Sequence, residues 1–207
     1  MTRIASLTVQ TADVARSRAF WSTLGLAHLV DVAHTDEPST GFRGVTVSLV
    51  VAGPATALAL VDAATAAGAT VLKPATRSFW GFGGVVQAPD GTIVKIASSS
   101  KKDTGPATRD IDSVVVLLGC DDVAATRRFY VDNGLTVGKS FGRKYVEFRM
   151  DDSPITLGLY GRKALAKDAG VPADGTGSHR IVIGGDVGDL TDPDGFRWHA
   201  ATHSTKA

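Results

Sequence analysis

The sequence is short of several residue types and patterns, and each shortage excludes a class of protein. Its 207 residues contain one cysteine, Cys120, so no intrachain disulfide can form. Lys and Arg total 22 and Asp and Glu total 21, a balance without the basic surface needed to bind nucleic acid or anionic membranes. Its apolar runs stay well below the roughly 20 residues of a transmembrane helix. We therefore expect neither nucleic acid nor a membrane as a partner.

Short motifs of some large enzyme classes are also missing. The chain has no Gly-x-x-x-x-Gly-Lys-Ser/Thr loop for nucleotide phosphates and no paired cysteines for metal or redox chemistry. Its start, MTRIASLTV, has no long apolar core of the kind found in secretory signals. We therefore expect a cytoplasmic protein with an ordinary globular composition, 43% hydrophobic and 21% charged.

What the sequence does contain is a repeat. Residues 12–26 read ADVARSRAFWSTLGL, and residues 121–135 read DDVAATRRFYVDNGL. A second pair follows, with APDGTIVKIA at 88–97 and DPDGFRWHAA at 192–201. Such self-similarity predicts a duplicated architecture, here two units at residues 1–100 and 111–207, joined by a linker at 101–110. The copies are uneven, because each unit lacks a piece that the other keeps.

Local patterns predict the elements within each unit. The alternating segment 4–9 predicts a strand, and a helix follows from Asp13 to Gly25, where glycine suits the left-handed residue that ends a helix. Pro54 suits the first turn of a helix that continues to Gly68, and the polar segment 34–41 predicts a loop. Further predicted strands are 28–33, 45–51, 70–73, 83–87, 92–97, 114–118, 144–149, 155–160, 179–183 and 196–200, with a helix at 122–133 and a helix or turn at 162–170.

The repeated pattern resembles the vicinal oxygen chelate superfamily, which includes glyoxalases, bleomycin-resistance proteins and extradiol dioxygenases. The matching motifs are Asp-Val-x-x-Ser/Thr-x-x-Phe-Trp/Tyr-x-x-x-Gly-Leu, and Pro-Asp-Gly followed by a strand. The resemblance implies an α+β fold of paired βαβββ modules, whose curled mixed sheets surround a cleft. Members of the superfamily bind a divalent metal or a flat hydrophobic ligand in that cleft, and many dimerise, so a homodimer is a possible assembly here.

The resemblance also implies where metal ligands would lie. Metal-dependent members use a Glu on the strand after Pro-Asp-Gly, and this position holds Lys95 in the first unit and His199 in the second. An ammonium group repels a cation. The position of the family's module-opening His is held by His179, so His179 and His199 are the candidates for any divalent metal. The alternative is that both are ordinary hydrogen-bonded strand residues. We expect no metal and no cofactor.

Several other residues suit an organic ligand. Strand alternation places Lys95 on one face with Ile93 and Ala97, where it could pair an acidic ligand group, act as a base or remain an exposed lysine. Aromatic rings offer stacking surfaces, although they could equally complete the core. The aromatic candidates are Trp80 and Phe82, which lie among glycines, and Tyr145 and Tyr160 in the second unit.

These observations favour a metal-free protein that binds a small hydrophobic or aromatic molecule in a cleft between modules. The predicted substrate-binding residues are Trp80, Phe82, Lys95, Tyr145, Tyr160, His179 and His199, and no catalytic residue is assigned. The alternative is a lyase, isomerase or dioxygenase-type enzyme, either metal-independent or using the two histidines. A structural relative without cleft chemistry is a third possibility, because fold does not fix function.

Overall fold

The computed structural model describes residues 2–103 and 105–201 of the chain. The helices are α1 (Val14–Thr23), α2 (Pro54–Ala66), α3 (Val123–Asp132) and α4 (Arg162–Ala169). The strands are β1 (Ile4–Thr11), β2 (Val30–His34), β3 (Ser39–Gly41), β4 (Val45–Val50), β5 (Thr70–Ser78), β6 (Gly81–Gln87), β7 (Ile93–Ser98), β8 (Ser113–Cys120), β9 (Val137–Phe141), β10 (Tyr145–Phe148), β11 (Ile155–Gly161), β12 (Gly175–Gly177), β13 (Ile181–Gly185), β14 (Leu190–Thr191) and β15 (Arg197–Ala200).

Two complete βαβββ modules occupy the middle of the chain. The first is β4-α2-β5-β6-β7 and the second is β8-α3-β9-β10-β11. In each module the first strand pairs in parallel with the last, as β4 does with β7 and β8 with β11. The remaining strands continue outward in antiparallel order. The predicted α+β fold with paired βαβββ modules is confirmed.

Two shortened modules lie at the ends of the chain. The first keeps β1, α1 and β2, with β1 and β2 parallel. The last keeps β13, β14 and β15, with β13 and β15 parallel and no helix between β13 and β14. Each sequence unit therefore contains one complete and one shortened module, which explains why the copies are uneven.

The modules of the two units pair with each other across the chain. β4 of the first unit pairs antiparallel with β8 of the second, over Val45–Val50. β1 of the first unit pairs antiparallel with β13 of the second. A single mixed sheet results, in the order β14-β15-β13-β1-β11-β8-β4-β7-β6-β5, extended by β10 and β9 from β11 and by β2 from β1. The pairing of modules is thus completed within one chain.

In each unit the helix motif of the repeat contacts the Pro-Asp-Gly motif. Trp21 of α1 donates to the carboxylate of Asp90 in the first Pro-Asp-Gly turn, with 2.9 Å between Nε1 and Oδ2. Tyr130 of α3 donates in the same way to Asp192 of the second turn, at 2.8 Å. All four side chains are buried. The aromatic and aspartate positions of the repeat therefore join a helix to a turn that lies about 70 or 60 residues further along the chain.

The other repeated residues begin and end the helices. The carboxylate of Asp13 accepts from the backbone N–H of Arg16, and that of Asp122 accepts from Ala124 and Ala125. These are N-cap hydrogen bonds, which satisfy amide groups that have no partner inside the helix. They also lower the pKa of Asp122. Gly25 and Gly134 adopt positive φ angles of 76° and 91° just after the helices end.

The sheet separates two sets of packed residues. On one face α1, α2 and α3 cover the main core, which includes Val94 and Ile96 of β7. On the other face α4 covers a smaller apolar cluster that includes Val85 and Ile93. We call this second side the cleft face. Alternation along each strand sends neighbouring residues to opposite faces.

A few elements differ from the sequence-based predictions. The predicted loop 34–41 contains β3, which pairs with β12 in a small separate sheet, and β9 was not predicted. β5 extends to Ser78, beyond the predicted end at residue 73, with register shifts along its length. No helix or strand is assigned between Ser98 and Ser113 among the described residues there. Within the described ranges, no helix has the length and apolar character to cross a membrane.

Candidate functional site

Helix α4 lies across the cleft face over β4, β8 and β11. Leu165 and Ala166 of this helix are buried against the sheet. Two lysines from the first complete module contact the last turn of α4. Lys73 Nζ donates to the backbone carbonyls of Lys167, at 2.9 Å, and Asp168. Lys95 Nζ forms an ion pair with Asp168 Oδ2 at 2.6 Å. Carbonyls at a helix C-terminus lack intrahelical partners and carry partial negative charge, so ammonium groups stabilise this end.

A cavity of about 510 Å³ lies beside α4 on the side of β5, β6 and β7. Trp80, Phe82 and Lys95, three of the residues predicted from the sequence, line this cavity together. Asp168 closes its side next to the helix. The rest of the wall combines aliphatic residues and glycines, as at Val50, Pro74, Gly83, Val85 and Ala97, with the polar residues Lys73, Thr76, Ser78, Ser98 and Ser99. A concave apolar wall with a few polar groups is the usual form of a small-molecule site.

The hairpin between β5 and β6 carries the aromatic side of the cavity. Trp80 lies at its tip with 82% of its surface exposed, next to Phe79 with 80% exposed. Gly81 follows with a φ of 139°, and a β-carbon there would lie 2.0 Å from the carbonyl oxygen of Ser98. Only glycine fits this position. The indole ring of Trp80 therefore lies at the mouth of the cavity, and the residue after it, Gly81, has no side chain that could fill the space.

Tyr145 and Tyr160 lie elsewhere on the cleft face. They sit on β10 and β11, with ring centroids 6.0 Å apart, and neither lines the cavity beside Trp80. Tyr160 packs against the apolar cluster that contains the buried side of α4. The Tyr145 hydroxyl donates to Glu147 at 2.8 Å, and burial together with this carboxylate raises its pKa. Helix α4 thus separates the two tyrosines from Trp80, Phe82 and Lys95.

His179 lies in a different region, two residues before β13 begins at Ile181. Its Nδ1 lies 2.6 Å from the carbonyl oxygen of Arg43 and its Nε2 lies 3.0 Å from that of Asp194. Its ring stacks on Phe196 with centroids 3.9 Å apart. It also lines a cavity of about 240 Å³ with Arg43 and Arg162. Both ring nitrogens contact backbone carbonyls, so His179 links the segment before β13 to the second Pro-Asp-Gly turn.

His199 is an exposed residue of β15 and does not meet His179. Its Nδ1 lies 3.3 Å from Asp189 Oδ1, and its side chain is 67% exposed. It pairs in register with Gly184, the fourth residue of β13, whereas His179 precedes the first, so three strand residues, about 10 Å, lie between them along β13. Ligands of one metal ion lie about 2 Å from it, so the two histidines do not share an ion. No group of three or more His, Cys, Asp or Glu side chains within residues 2–103 and 105–201 is arranged to hold a metal.

Cys120 is a core residue at the end of β8, with 1% of its surface exposed. Burial raises its pKa, and Asp194 adds to the effect. The raised pKa disfavours the reactive thiolate, and burial is the main cause. This residue lies on the side of the sheet covered by α1, α2 and α3.

Sequence analysis missed Lys73 and Asp168, the residues that join α4 to the sheet. Lys73 lies on β5 between two register shifts, where strand alternation does not predict its direction. Asp168 lies in a helix of eight residues, and the lysine with which it pairs lies 73 positions earlier in the chain. No local signal in the sequence indicates either contact.

Comparison of the structure with solved structures identifies the fold. The chain is similar to glyoxalase I from Zea mays, with a TM-score of 0.59 and 14% identity over 96% of this chain and 91% of that one. It is also similar to a putative dioxygenase from Bacillus subtilis subsp. subtilis str. 168, with a TM-score of 0.54 and 13% identity over 88% of this chain and 69% of that one. No protein-family model and no curated protein matches the sequence. The chain therefore has a glyoxalase-like fold.

Proposed function

We propose that this protein binds a small hydrophobic or aromatic molecule in the cavity beside α4, without the help of a metal ion. The observation that carries the proposal is the cavity of about 510 Å³ that unites Trp80, Phe82 and Lys95. Trp80 is largely exposed at its mouth, where a bound ring can cover it. Burying an aromatic surface of 100 Å² contributes about 2.5 kcal/mol, before the costs of association are subtracted.

The lysine at the family's metal-ligand position supports the metal-free part of this proposal. Lys95 lies directly opposite Ser48 of β4, and Ser48 lies opposite Val115 of β8. An ammonium, a hydroxyl and an isopropyl group do not fit a divalent cation, which needs several anionic or neutral N and O ligands. The ammonium is already paired with Asp168 at 2.6 Å, and this ion pair joins α4 to the sheet.

A neutral fluorescent probe tests the binding site. N-phenyl-1-naphthylamine, which emits strongly only in apolar surroundings, is titrated into the purified protein. We expect saturable binding that weakens about three- to tenfold in Trp80→Ala, since an aromatic contact contributes roughly 0.5–1.5 kcal/mol. Phe141→Ala is the matched control, because Phe141 is also a largely exposed aromatic residue, at 67%, but does not line the cavity. Equal weakening in both variants, or no saturable binding, would contradict the proposal.

The metal-free part has its own measurement. Protein purified without chelator is analysed for Zn, Ni, Mn and Fe, and then retested with the same probe after treatment with a chelator and gel filtration. We expect substoichiometric metal and unchanged probe affinity. A tightly bound metal at one ion per chain, or binding that disappears with the chelator and returns with the metal, would overturn this part.

A further inference from the structure

The charges around the cavity beside α4 are unequal. Two ammonium groups, Lys73 and Lys95, line it together with one carboxylate, Asp168. The carboxylate of Asp168 pairs with Lys95, whereas Lys73 contacts only backbone carbonyls of Lys167 and Asp168 among the described partners. Backbone carbonyls carry partial charges and no net charge. The lining therefore has a formal excess of one positive charge.

Lys95 has unused capacity for a ligand. A lysine ammonium offers three N–H donors, and within residues 2–103 and 105–201 Lys95 Nζ donates only to Asp168. Its side chain is 36% exposed and that of Asp168 is 41% exposed. The ion pair is therefore accessible from the cavity. An anionic group that enters can share Lys95 with Asp168 or replace Asp168 there.

The positions of the charged and apolar groups define the class of ligand. Resting on the function proposed above, we propose that the cavity selects a flat apolar molecule that carries a single carboxylate. The carboxylate binds Lys95 on β7, while the rings contact Phe82 and Trp80 at the mouth. A neutral analogue gains the same apolar contacts but leaves the excess positive charge unpaired. A small hydrated anion can pair with the ammonium group of Lys95 but gains no apolar contact.

A matched pair of ligands tests this class. 1-Naphthoate and 1-naphthamide share their rings and nearly the same shape, but only the first is charged at pH 7.5. In isothermal titration calorimetry we expect 1-naphthoate to bind roughly five- to tenfold more tightly, because a charged hydrogen bond at a half-exposed site is only partly screened by solvent. Raising NaCl from 0.05 to 0.5 M is expected to weaken 1-naphthoate and leave 1-naphthamide unchanged.

Three variants test which residue causes the preference for 1-naphthoate over 1-naphthamide. In Lys95→Met the ratio of the two affinities is expected to fall to about one, because the aliphatic stem remains and the charge is lost. Lys163→Met removes the same charge from an exposed position of α4 outside the lining and should keep the ratio. Asp168→Asn frees Lys95 and should strengthen 1-naphthoate alone, which gives a second measurement if Lys95→Met does not fold.

The outcomes separate this proposal from the one on which it rests. Equal affinity for the two ligands in the native protein, or a preference that survives in Lys95→Met, would overturn the carboxylate proposal and leave apolar binding intact. If neither naphthalene ligand binds and the neutral probe also fails, the cavity is not a binding site and both proposals fall. A preference for 1-naphthoate that only Lys95→Met abolishes would support the assignment.

Discussion

Replacing Trp21 by phenylalanine tests how the two repeated motifs stabilise the fold. Trp21 has 0% of its surface exposed and Asp90 has 4% exposed. The indole N–H donates to Asp90 Oδ2 at 2.9 Å, and the same oxygen accepts from the Ser17 hydroxyl at 2.6 Å. Phenylalanine keeps the aromatic packing and removes this donor. The Asp90 carboxylate then remains buried with one hydrogen bond fewer.

Two contributions determine the expected loss. Removing a hydrogen bond to a charged group costs about 1.5–3 kcal/mol, with the lower part of this range expected because the Ser17 hydroxyl and the Thr92 amide still donate to Asp90. Replacing the indole by a phenyl ring also leaves a small cavity. Because a full truncation of Trp to Ala costs about 3–5 kcal/mol of stability, we assign about 1 kcal/mol to this smaller loss. We expect Trp21→Phe to lower the free energy of unfolding by about 2.5–4 kcal/mol.

The measurement is urea denaturation followed by circular dichroism at 222 nm. The matched control is Trp80→Phe, the same substitution at a side chain that is 82% exposed, for which we expect a change within about 0.5 kcal/mol. A double-mutant cycle with Asp90→Ala, which removes the acceptor, isolates the pair. A loss below about 1 kcal/mol in Trp21→Phe, or additive effects in the cycle, would refute the argument that this hydrogen bond joins the two motifs.

Three further predictions concern buried or half-buried groups. Tyr130→Phe removes the donor to Asp192 and should cost about 1.5–3 kcal/mol of stability, measured by urea denaturation; an unchanged midpoint would contradict it. Cys120 should react with a thiol reagent at pH 8 only after unfolding, because burial raises its pKa; fast reaction of the folded protein would contradict burial. Burial and Glu147 raise the pKa of Tyr145 in the folded protein. The neutral hydroxyl therefore stabilises the fold fully below about pH 10, and this stabilisation is lost as the pH rises further. Native protein should therefore lose more stability than Tyr145→Phe between pH 9 and 11.5; parallel losses in thermal denaturation would contradict this.

Most of the local structure could be predicted from the sequence, because its signals are local. Asp13 and Asp122 cap their helices, and Gly25 and Gly134 follow them, as the repeat indicates. The resemblance that these motifs carry predicted the α+β fold of paired modules, which the topology confirms. The strand β3 was missed because the segment Ser39–Gly41 is polar, and its pairing partner β12 lies more than 130 residues away.

The candidate site could be predicted only in part. Alternation placed Lys95 on one face of its strand with Ile93 and Ala97, and the glycine-rich segment made Trp80 and Phe82 candidates for stacking. In the structure Trp80, Phe82 and Lys95 line the cavity on the cleft face together. Tyr145 and Tyr160 share that face but lie beyond α4, whose position no periodicity in the sequence predicts. His179 was a candidate because of its place in the chain, yet its two ring nitrogens contact backbone carbonyls.

The sequence by itself determined the helix caps and most of the helices and strands, because those depend on residues within one or two turns of each other. It also determined the duplication, because the repeated motifs are visible in the sequence. It further places a lysine, Lys95, at the position where the resemblance implies a glutamate. The tertiary structure decided which modules pair, as β4 with β8, and where helix α4 lies. These depend on contacts between residues distant in the chain, such as Lys95 and Asp168. That one ion pair forms a wall of the cavity, so the shape and charge of the candidate site follow from the tertiary contacts.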